Sequence, residues 1–170
     1  MEEKNIIKSL HLPRYSDFPP IDIYLDQLVT YLDQNLKPFI GKKDDETPII
    51  TKTMINNYVK QQVIQAPIKK KYNRDHIASL FVICILKQVY SINNISDLIS
   101  YALDRTNLEV AYDNFCNELE SAVCAVFNGT DYSIDSKSSY EIRLIKSLVL
   151  TFAHKLYVEN IFKFNSGEKE

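Results

Sequence analysis

Residues 50–60 read ITKTMINNYVK, and this stretch decides the fold. Thr51 is a good N-cap, because its hydroxyl can accept a hydrogen bond from an unpaired N–H group in the first turn of a helix. The apolar residues recur three and four positions apart, as on one buried helix face: Met54, Ile55, Tyr58 and Val59. The pattern predicts a helix from Thr51 to about Lys60 whose remaining side chains, mostly Thr, Asn and Lys, face solvent.

A basic segment follows this helix. Residues 63–72 read VIQAPIKKKY, which predicts a short extended excursion, such as a small hairpin or wing, with the lysine triplet at its tip. Residues 51–76 hold six basic residues and one acid, a local balance of 6 − 1 = +5, although the whole chain has a net charge of −2. Such a window in an acidic protein is typical of a phosphate-binding surface. Charge alone fits a solvated loop equally well.

Apolar periodicity and end signals predict further helices around this region. The first is Ile21–Leu36, which Pro38 and Gly41 should stop. Residues 12–20 contain three prolines, so this segment cannot be a regular helix and should run extended over the surface. The later helices are predicted at Arg74–Tyr90, Ser91–Leu103, Asn107–Phe127 and Glu141–Phe164. Asn73 and Ser91 can cap the first two of these.

The composition favours helices over sheets. Only three Gly occur in 170 residues, whereas β-hairpin turns usually require them. We therefore predict an all-α, mostly helical fold. Residues 1–103 should form an N-terminal extension and a head, residues 104–164 a helical hairpin for dimerisation or effector binding, and residues 165–170 a disordered tail.

The sequence carries no sign of a membrane segment, a secretory route or a metal site. No long apolar segment follows the N-terminus, and the most apolar stretch, residues 77–86, is too short to span a bilayer. Three cysteines without a CxxC pair favour reduced, buried thiols in the cytoplasm: Cys84, Cys116 and Cys124. No zinc-ligand spacing, Gly-rich phosphate loop or nucleophile elbow occurs. We expect no membrane association, no metal, no cofactor and no enzymatic activity.

Residues 21–103 resemble the winged helix-turn-helix head of MerR-type regulators. Tyr58 matches the second Tyr of their Thr-Leu-Arg-Tyr-Tyr-Glu pattern, and Val63-Ile64 match the Leu-Ile that follows it. Lys71-Tyr72 match the Arg-Tyr that closes the wing. The resemblance implies a MerR-like winged helix-turn-helix head that binds DNA.

Three positions depart from the MerR-type pattern. Asn56, Asn57 and Gln62 stand where it has Arg, the first Tyr and Gly. A closer likeness, carried by LPRY at residues 12–15 and KKKYNRDHI at residues 69–77, extends over almost the whole chain. In these motifs the chain resembles a Gram-positive bacterial family of unknown function, sometimes called YkrK-like. That resemblance implies no activity.

Together these features predict a transcriptional regulator that binds double-stranded DNA. Short Thr and Asn side chains on an exposed helix face can reach base edges in a major groove, and lysines neutralise the flanking phosphates. The candidate DNA-binding residues lie on the predicted helix and the basic segment: Thr51, Lys52, Thr53, Asn56, Asn57, Tyr58, Lys60, Lys69, Lys70, Lys71, Tyr72 and Arg74.

Two further partners follow from this hypothesis, and two alternatives to it stay open. One head covers only a half-site, so we expect a homodimer formed through the helices of residues 107–164. The C-terminal part of the chain carries aromatic residues that could line a pocket for a small-molecule effector: Tyr101, Tyr112, Phe115, Tyr140, Phe152 and Tyr157. The alternatives are a protein-interaction module with a winged-helix shape and a ligand-sensing helical protein.

Overall fold

The computed structural model describes residues 10–41 and 46–167, with side chains as far as Phe162. Within these ranges the protein is mostly helical, as the composition predicts, and its single sheet has two short strands. In chain order the elements are β1 (Ile23–Tyr24), α1 (Leu25–Ile40), α2 (Lys52–Lys60), β2 (Lys71–Tyr72), α3 (Arg74–Leu86), α4 (Ile92–Leu103), α5 (Leu108–Asn128) and α6 (Tyr140–Gly167).

The described chain divides into two compact units. The N-terminal unit is Leu12–Asn114, and the C-terminal unit consists, among the described residues, of residues 115–167 together with residues 10 and 11. The sequence analysis predicted a domain boundary at residue 103, between α4 and α5. No helix among the described residues is long and apolar enough to cross a membrane.

The first predicted helix is wrong at both ends. Residues 23 and 24 form β1, which pairs antiparallel with β2 in the register Ile23↔Tyr72 and Tyr24↔Lys71. Ile21 and Tyr24, which the periodicity placed on a buried face, are 72% and 54% exposed. The strand pairing is a contact over about fifty positions, so local periodicity could not predict it. At the other end α1 continues through Pro38 to Ile40.

The helix predicted from residues 50–60 is confirmed. Thr51 caps α2, since its Oγ1 accepts the Met54 N–H at 3.2 Å, and Ile55 is fully buried. The helix ends in a Schellman motif, in which the Val63 N–H donates to the Tyr58 carbonyl at 2.9 Å. Gln62 occupies the left-handed position of this motif with φ of 58°.

An aromatic cluster fills the core of the N-terminal unit. Phe18 is 1% exposed and stacks on Phe81 at a centroid distance of 5.5 Å, with Tyr112 at 5.1 Å. The helix α3, which supplies Phe81, is buried on nearly all sides, as its all-round apolar sequence predicts. The prediction that residues 12–20 lie on the surface is wrong, because Phe18 and Leu12 both belong to this core.

Polar contacts tie residues 12–20, the strap, onto α3 and α5. The Arg74 guanidinium donates to the backbone carbonyls of Phe18 at 3.1 Å and of Pro19 at 3.4 Å. The Tyr15 hydroxyl donates to Asp75 Oδ1 at 2.7 Å, and the Tyr112 hydroxyl donates to the Pro13 carbonyl at 2.8 Å. The strap is therefore a built part of the unit.

In the C-terminal unit, residues 115–128 of α5 and the helix α6 form a helical hairpin. Phe127 packs edge-on against Tyr157 at a centroid distance of 5.3 Å. Tyr132, in the connection, donates to Glu118, which also pairs with Lys146 at 3.5 Å. The helix α6 runs to Gly167, past the predicted end at Phe164, and residues 168–170 of the predicted tail lie outside the described residues.

Candidate nucleic-acid interface

The outer face of α2 carries exposed polar side chains. Thr53, Asn56, Asn57 and Lys60 are all exposed, whereas Met54, Tyr58 and Val59 are half-buried and Ile55 is fully buried. Thr51 and Lys52 are exposed at the N-terminal end of the helix, although the Thr51 hydroxyl is occupied as the cap. No acidic residue occurs between Lys52 and Lys60, so the outer face of this helix is neutral or positive.

The lysine triplet forms the tip of a tight hairpin, Ile68–Lys71, which we call the lysine hairpin. The Ile68 N–H donates to the Lys71 carbonyl at 3.1 Å, and the Lys71 N–H donates to the Ile68 carbonyl at 2.9 Å. Lys69 and Lys70 both have positive φ, 50° and 64°. A two-residue turn with positive φ at both central positions is type I′, which normally takes Asn-Gly. The hairpin predicted from residues 63–72 is therefore present, with two lysines where the turn favours glycine or asparagine.

The lysine hairpin continues the small sheet. Lys71 faces Tyr24 across the β1–β2 pairing and Ile68 across the turn, so the three side chains share one face of the sheet. The Lys71 Nζ lies 5.2 Å from the centre of the Tyr24 ring, a cation–π contact. Ile68 is 65% exposed. This face thus presents an aromatic, a cationic and an aliphatic side chain in a row to solvent.

The lysine hairpin and α2 each contact the N-terminal end of α1. Tyr24, the N-cap of α1, touches the hairpin through Lys71. Asp26, in the first turn, pairs with Lys52 at the start of α2. The two predicted parts of the site therefore flank one helix end and belong to one continuous surface of the N-terminal unit.

Three of the predicted contact residues have other roles in the structure. Tyr72 is 3% exposed, with its ring 5.2 Å from that of the buried His76. Arg74 holds the carbonyls of the strap. Tyr58 is half-buried, and burial, followed by the nearby Cys84, raises the pKa of its hydroxyl. Tyr72 contributes almost no exposed surface, while Tyr58 and Arg74 each offer only part of their side chains.

Three residues of this surface were missed in the prediction: Tyr24, Asp26 and Ile68. Their signal lay in the sequence only indirectly, because each was assigned to a helix face or to a linker by its local pattern. The pairing of β1 with β2 brings Tyr24 to the hairpin and leaves Asp26 exposed beside α2. Contacts such as the ion pair of Asp26 with Lys52 can be predicted from the sequence only when it is known which strands pair.

The cysteines do not form a common site. Cys84 and Cys116 are buried, as predicted, but Cys124 is exposed, with the Asn128 amide donating to its sulfur at 3.3 Å. Burial raises the pKa of the Cys84 thiol to about 12 and leaves it unreactive at neutral pH. Among the described residues no group of three or more His, Cys, Asp or Glu side chains is arranged to hold a metal ion.

The aromatic residues proposed for an effector pocket are dispersed. Tyr112 belongs to the Phe18 cluster, and Phe115 and Phe152 are buried in the C-terminal unit. Tyr140 is 65% exposed, and Tyr157 packs on Phe127. An open groove of about 330 Å³ lies instead along α1, where it is lined by Asp26, Gln27, Thr30, Tyr31 and Gln34.

The chain belongs to a family described as a domain of unknown function, DUF1836, whose model matches residues 13–115. The matched region includes residues 13–20 of the strap, α2 and the lysine hairpin. No curated protein and no solved structure matches the chain.

Proposed function

We propose that this member of the DUF1836 family is a non-enzymatic transcriptional regulator that binds double-stranded DNA as a homodimer. The helix α2 would enter the major groove, and the lysine hairpin would be the wing that contacts the phosphate backbone. The contact residues are those of the predicted set that keep exposed or half-exposed side chains: Thr51, Lys52, Thr53, Asn56, Asn57, Tyr58, Lys60, Lys69, Lys70 and Lys71.

The observation that carries the proposal is the pair of lysines in the type I′ turn. A residue with a Cβ in the left-handed region is unfavourable by about 1–2 kcal/mol, and Lys69 and Lys70 both lie there. Neither side chain has a hydrogen bond or ion pair among the described residues that would offset this strain. Strain of this kind is typical of functional sites, and two exposed cations at a hairpin tip suit adjacent phosphates.

The C-terminal end of α2 supports the proposal of a winged-helix arrangement of the MerR type. The pattern that the sequence resembles has Gly after its second helix, and here Gln62 takes the left-handed conformation that makes Gly favourable. The backbone thus has the geometry that the pattern requires, although the residue differs. The pairing of β1 with β2 holds the hairpin at the start of α1, the helix end that also contacts α2 through Asp26 and Lys52, which supports a role for the hairpin as a wing.

The homodimer rests on the C-terminal unit. Apolar side chains of α6 reach solvent there, with Val158 47% and Phe162 64% exposed one helical turn apart. A DNA-binding head that reads a half-site needs a second copy at a fixed spacing. Packing α6 of two protomers together would supply it, and sedimentation of wild type against Val158→Lys/Phe162→Lys tests this part separately.

The test of DNA binding replaces the two turn lysines by the residues that a type I′ turn favours, Lys69→Asn/Lys70→Gly. The free energy of unfolding of the variant should be about 1 kcal/mol higher than that of wild type, because Asn and Gly adopt the left-handed conformation with less strain than Lys. It should nevertheless bind duplex DNA from the protein's own promoter region more weakly. The slope of log K against log salt should fall by about one for each lysine removed. Gain of stability with loss of affinity excludes misfolding as the cause.

A charge-matched control is Lys137→Asn/Arg143→Gln, which removes two exposed cations from the C-terminal unit. Its affinity for DNA should equal that of wild type. Binding to promoter DNA at low salt by wild type is the minimum result. Absence of that binding, or undiminished binding by the turn variant, refutes the proposal.

A second candidate function, a protein-interaction module, is favoured by one observation. Asp26 neutralises Lys52, and Ile21, Tyr24 and Ile68 expose apolar surface beside the lysine hairpin. Acidic and apolar groups among the lysines suit a protein partner better than a phosphate backbone. Asp26→Asn separates the two candidates, because it should strengthen DNA binding and leave or weaken a protein contact.

A further inference from the structure

The exposed stripe of α2 has a definite chemistry. Asn56 and Asn57 each lie three or four residues from Thr53 on one side and from Lys60 on the other, so the four side chains share one face. All four are exposed, and none of their side chains has a hydrogen bond or ion pair within residues 10–41 and 46–167. In contrast, the neighbouring Thr51 and Lys52 are occupied by the Met54 N–H and by Asp26. The stripe is the uncommitted polar surface of this helix.

The lengths of these side chains fit a groove. Short side chains occupy the middle of the helix, and lysines occupy its first and last positions, Lys52 and Lys60. Eight steps of about 1.5 Å separate the two lysines by about 12 Å along the axis, close to the width of the B-DNA major groove. Lys60 can therefore reach a phosphate while the central amides approach the base edges, and Lys52 can do the same if it exchanges its ion pair with Asp26 for a phosphate.

The residue types select among the bases. An Asn amide can donate to N7 of adenine and accept from its N6 amino group, and a Thr methyl can pack on the methyl group of thymine. Guanine is read mainly by Arg or Lys and cytosine by Asp or Glu, and the positions of α2 between its two terminal lysines contain none of these. The two lysines lie at the first and last positions of the helix.

We infer that α2 reads A·T base pairs in the major groove, with Asn56 and Asn57 bound to adenine and the Thr53 methyl against thymine. The inference rests on the proposed DNA binding and adds the base preference and the residues that set it. The lysine hairpin then contributes affinity without sequence preference, since phosphates are the same at every base pair.

The experiment compares wild type with Asn56→Ala/Asn57→Ala. Ala is the strongest helix former, so this change should not unfold α2. The matched control is Asn93→Ala/Asn94→Ala, an equally exposed pair of asparagines on α4. Each protein first selects duplexes from a random pool, and the wild-type site is then made again with 7-deazaadenine, which lacks the N7 acceptor.

Wild type and the control variant should select an A·T-containing core and lose about tenfold or more in affinity on the 7-deazaadenine duplex. The Asn56→Ala/Asn57→Ala variant should bind both duplexes equally and select a degraded core. The DNA affinity of this variant should still depend on Lys69, on Lys70 and on the salt concentration.

The two failures are distinguishable. If wild type binds no duplex at all, the proposed function fails and the inference falls with it. If wild type binds DNA through its lysines but selects G·C-rich sites, or loses nothing on 7-deazaadenine, only the base preference is overturned. Equal losses on the analogue by wild type and the Asn56→Ala/Asn57→Ala variant also overturn it, since the amides would then not contact N7.

Discussion

The strap and the lysine hairpin are both short segments outside the helices of the N-terminal unit, but they use their residues in opposite ways. The strap buries Phe18 and Leu12 and satisfies its polar groups through Arg74, Tyr15 and Tyr112. The lysine hairpin exposes Ile68 and leaves Lys69 and Lys70 strained and unpaired among the described residues.

The difference separates two kinds of short segment outside the α-helices; the strap contains a 3-10 turn at Tyr15–Asp17, and the lysine hairpin ends in the first residue of β2. Residues that gain hydrogen bonds and burial stabilise the fold, and their chemistry is explained by the fold itself. Residues that keep strain and free charge are not explained by stability, so a binding role is the natural hypothesis. Substitutions in the two segments should therefore change different properties.

The largest effect is expected for Phe18→Ala in the strap. Removing a fully buried ring from the Phe81 and Tyr112 cluster should lower the free energy of unfolding by about 3–5 kcal/mol, measured by urea denaturation. Ile68→Ala in the lysine hairpin is the control and should change it by about 0.5 kcal/mol or less, because Ile68 is mostly exposed. Similar losses at both positions would remove the contrast between the segments.

A smaller effect is expected for Arg74→Met, which tests whether Arg74 serves the strap or the proposed DNA-binding surface. The change leaves the Phe18 and Pro19 carbonyls without their charged donor and should lower the free energy of unfolding by about 1.5–3 kcal/mol. Lys60→Met, at an exposed lysine without a described partner, should be nearly neutral. Should folded Arg74→Met protein also lose DNA affinity, Arg74 would belong to the interface, as the sequence predicted.

The smallest effect is expected for Tyr15→Phe and depends on pH. Burial, followed by the hydrogen bond to Asp75, raises the Tyr15 pKa from 10.0 to about 12. A raised folded-state pKa stabilises the fold fully below pH 10.0, and this contribution is lost as pH rises through about 12. The stability difference between wild type and Tyr15→Phe should thus shrink across that window in denaturation curves.

The control for this measurement is Tyr90→Phe, since the Tyr90 hydroxyl has no hydrogen bond within the described residues. This variant reports how far the denaturation curves change with pH for reasons unrelated to Tyr15. A constant difference between wild type and Tyr15→Phe would mean that neither the burial of the Tyr15 ring nor its contact with Asp75 holds in solution.

The candidate site was predictable in part. The capped helix at residues 50–60 and the hairpin near Lys69–Lys71 follow from local signals, namely an N-cap, an apolar period and a lysine triplet, and the structure has both. That they contact DNA remains a prediction. Two residues of the predicted set have structural roles that the sequence did not show: Tyr72 is buried, and the partly exposed Arg74 donates to carbonyls of the strap.

By itself, the sequence determined the mostly helical class, the position of α2, the caps at Thr51, Asn73 and Ser91, and the basic character of residues 51–76. All of these depend on residues within one or two helical turns of each other. Only the tertiary structure decided that Ile23–Tyr24 form a strand, that Phe18 lies in the core and that Asp26 meets Lys52. Those contacts join residues far apart in the chain, where local propensity carries no information about the partner.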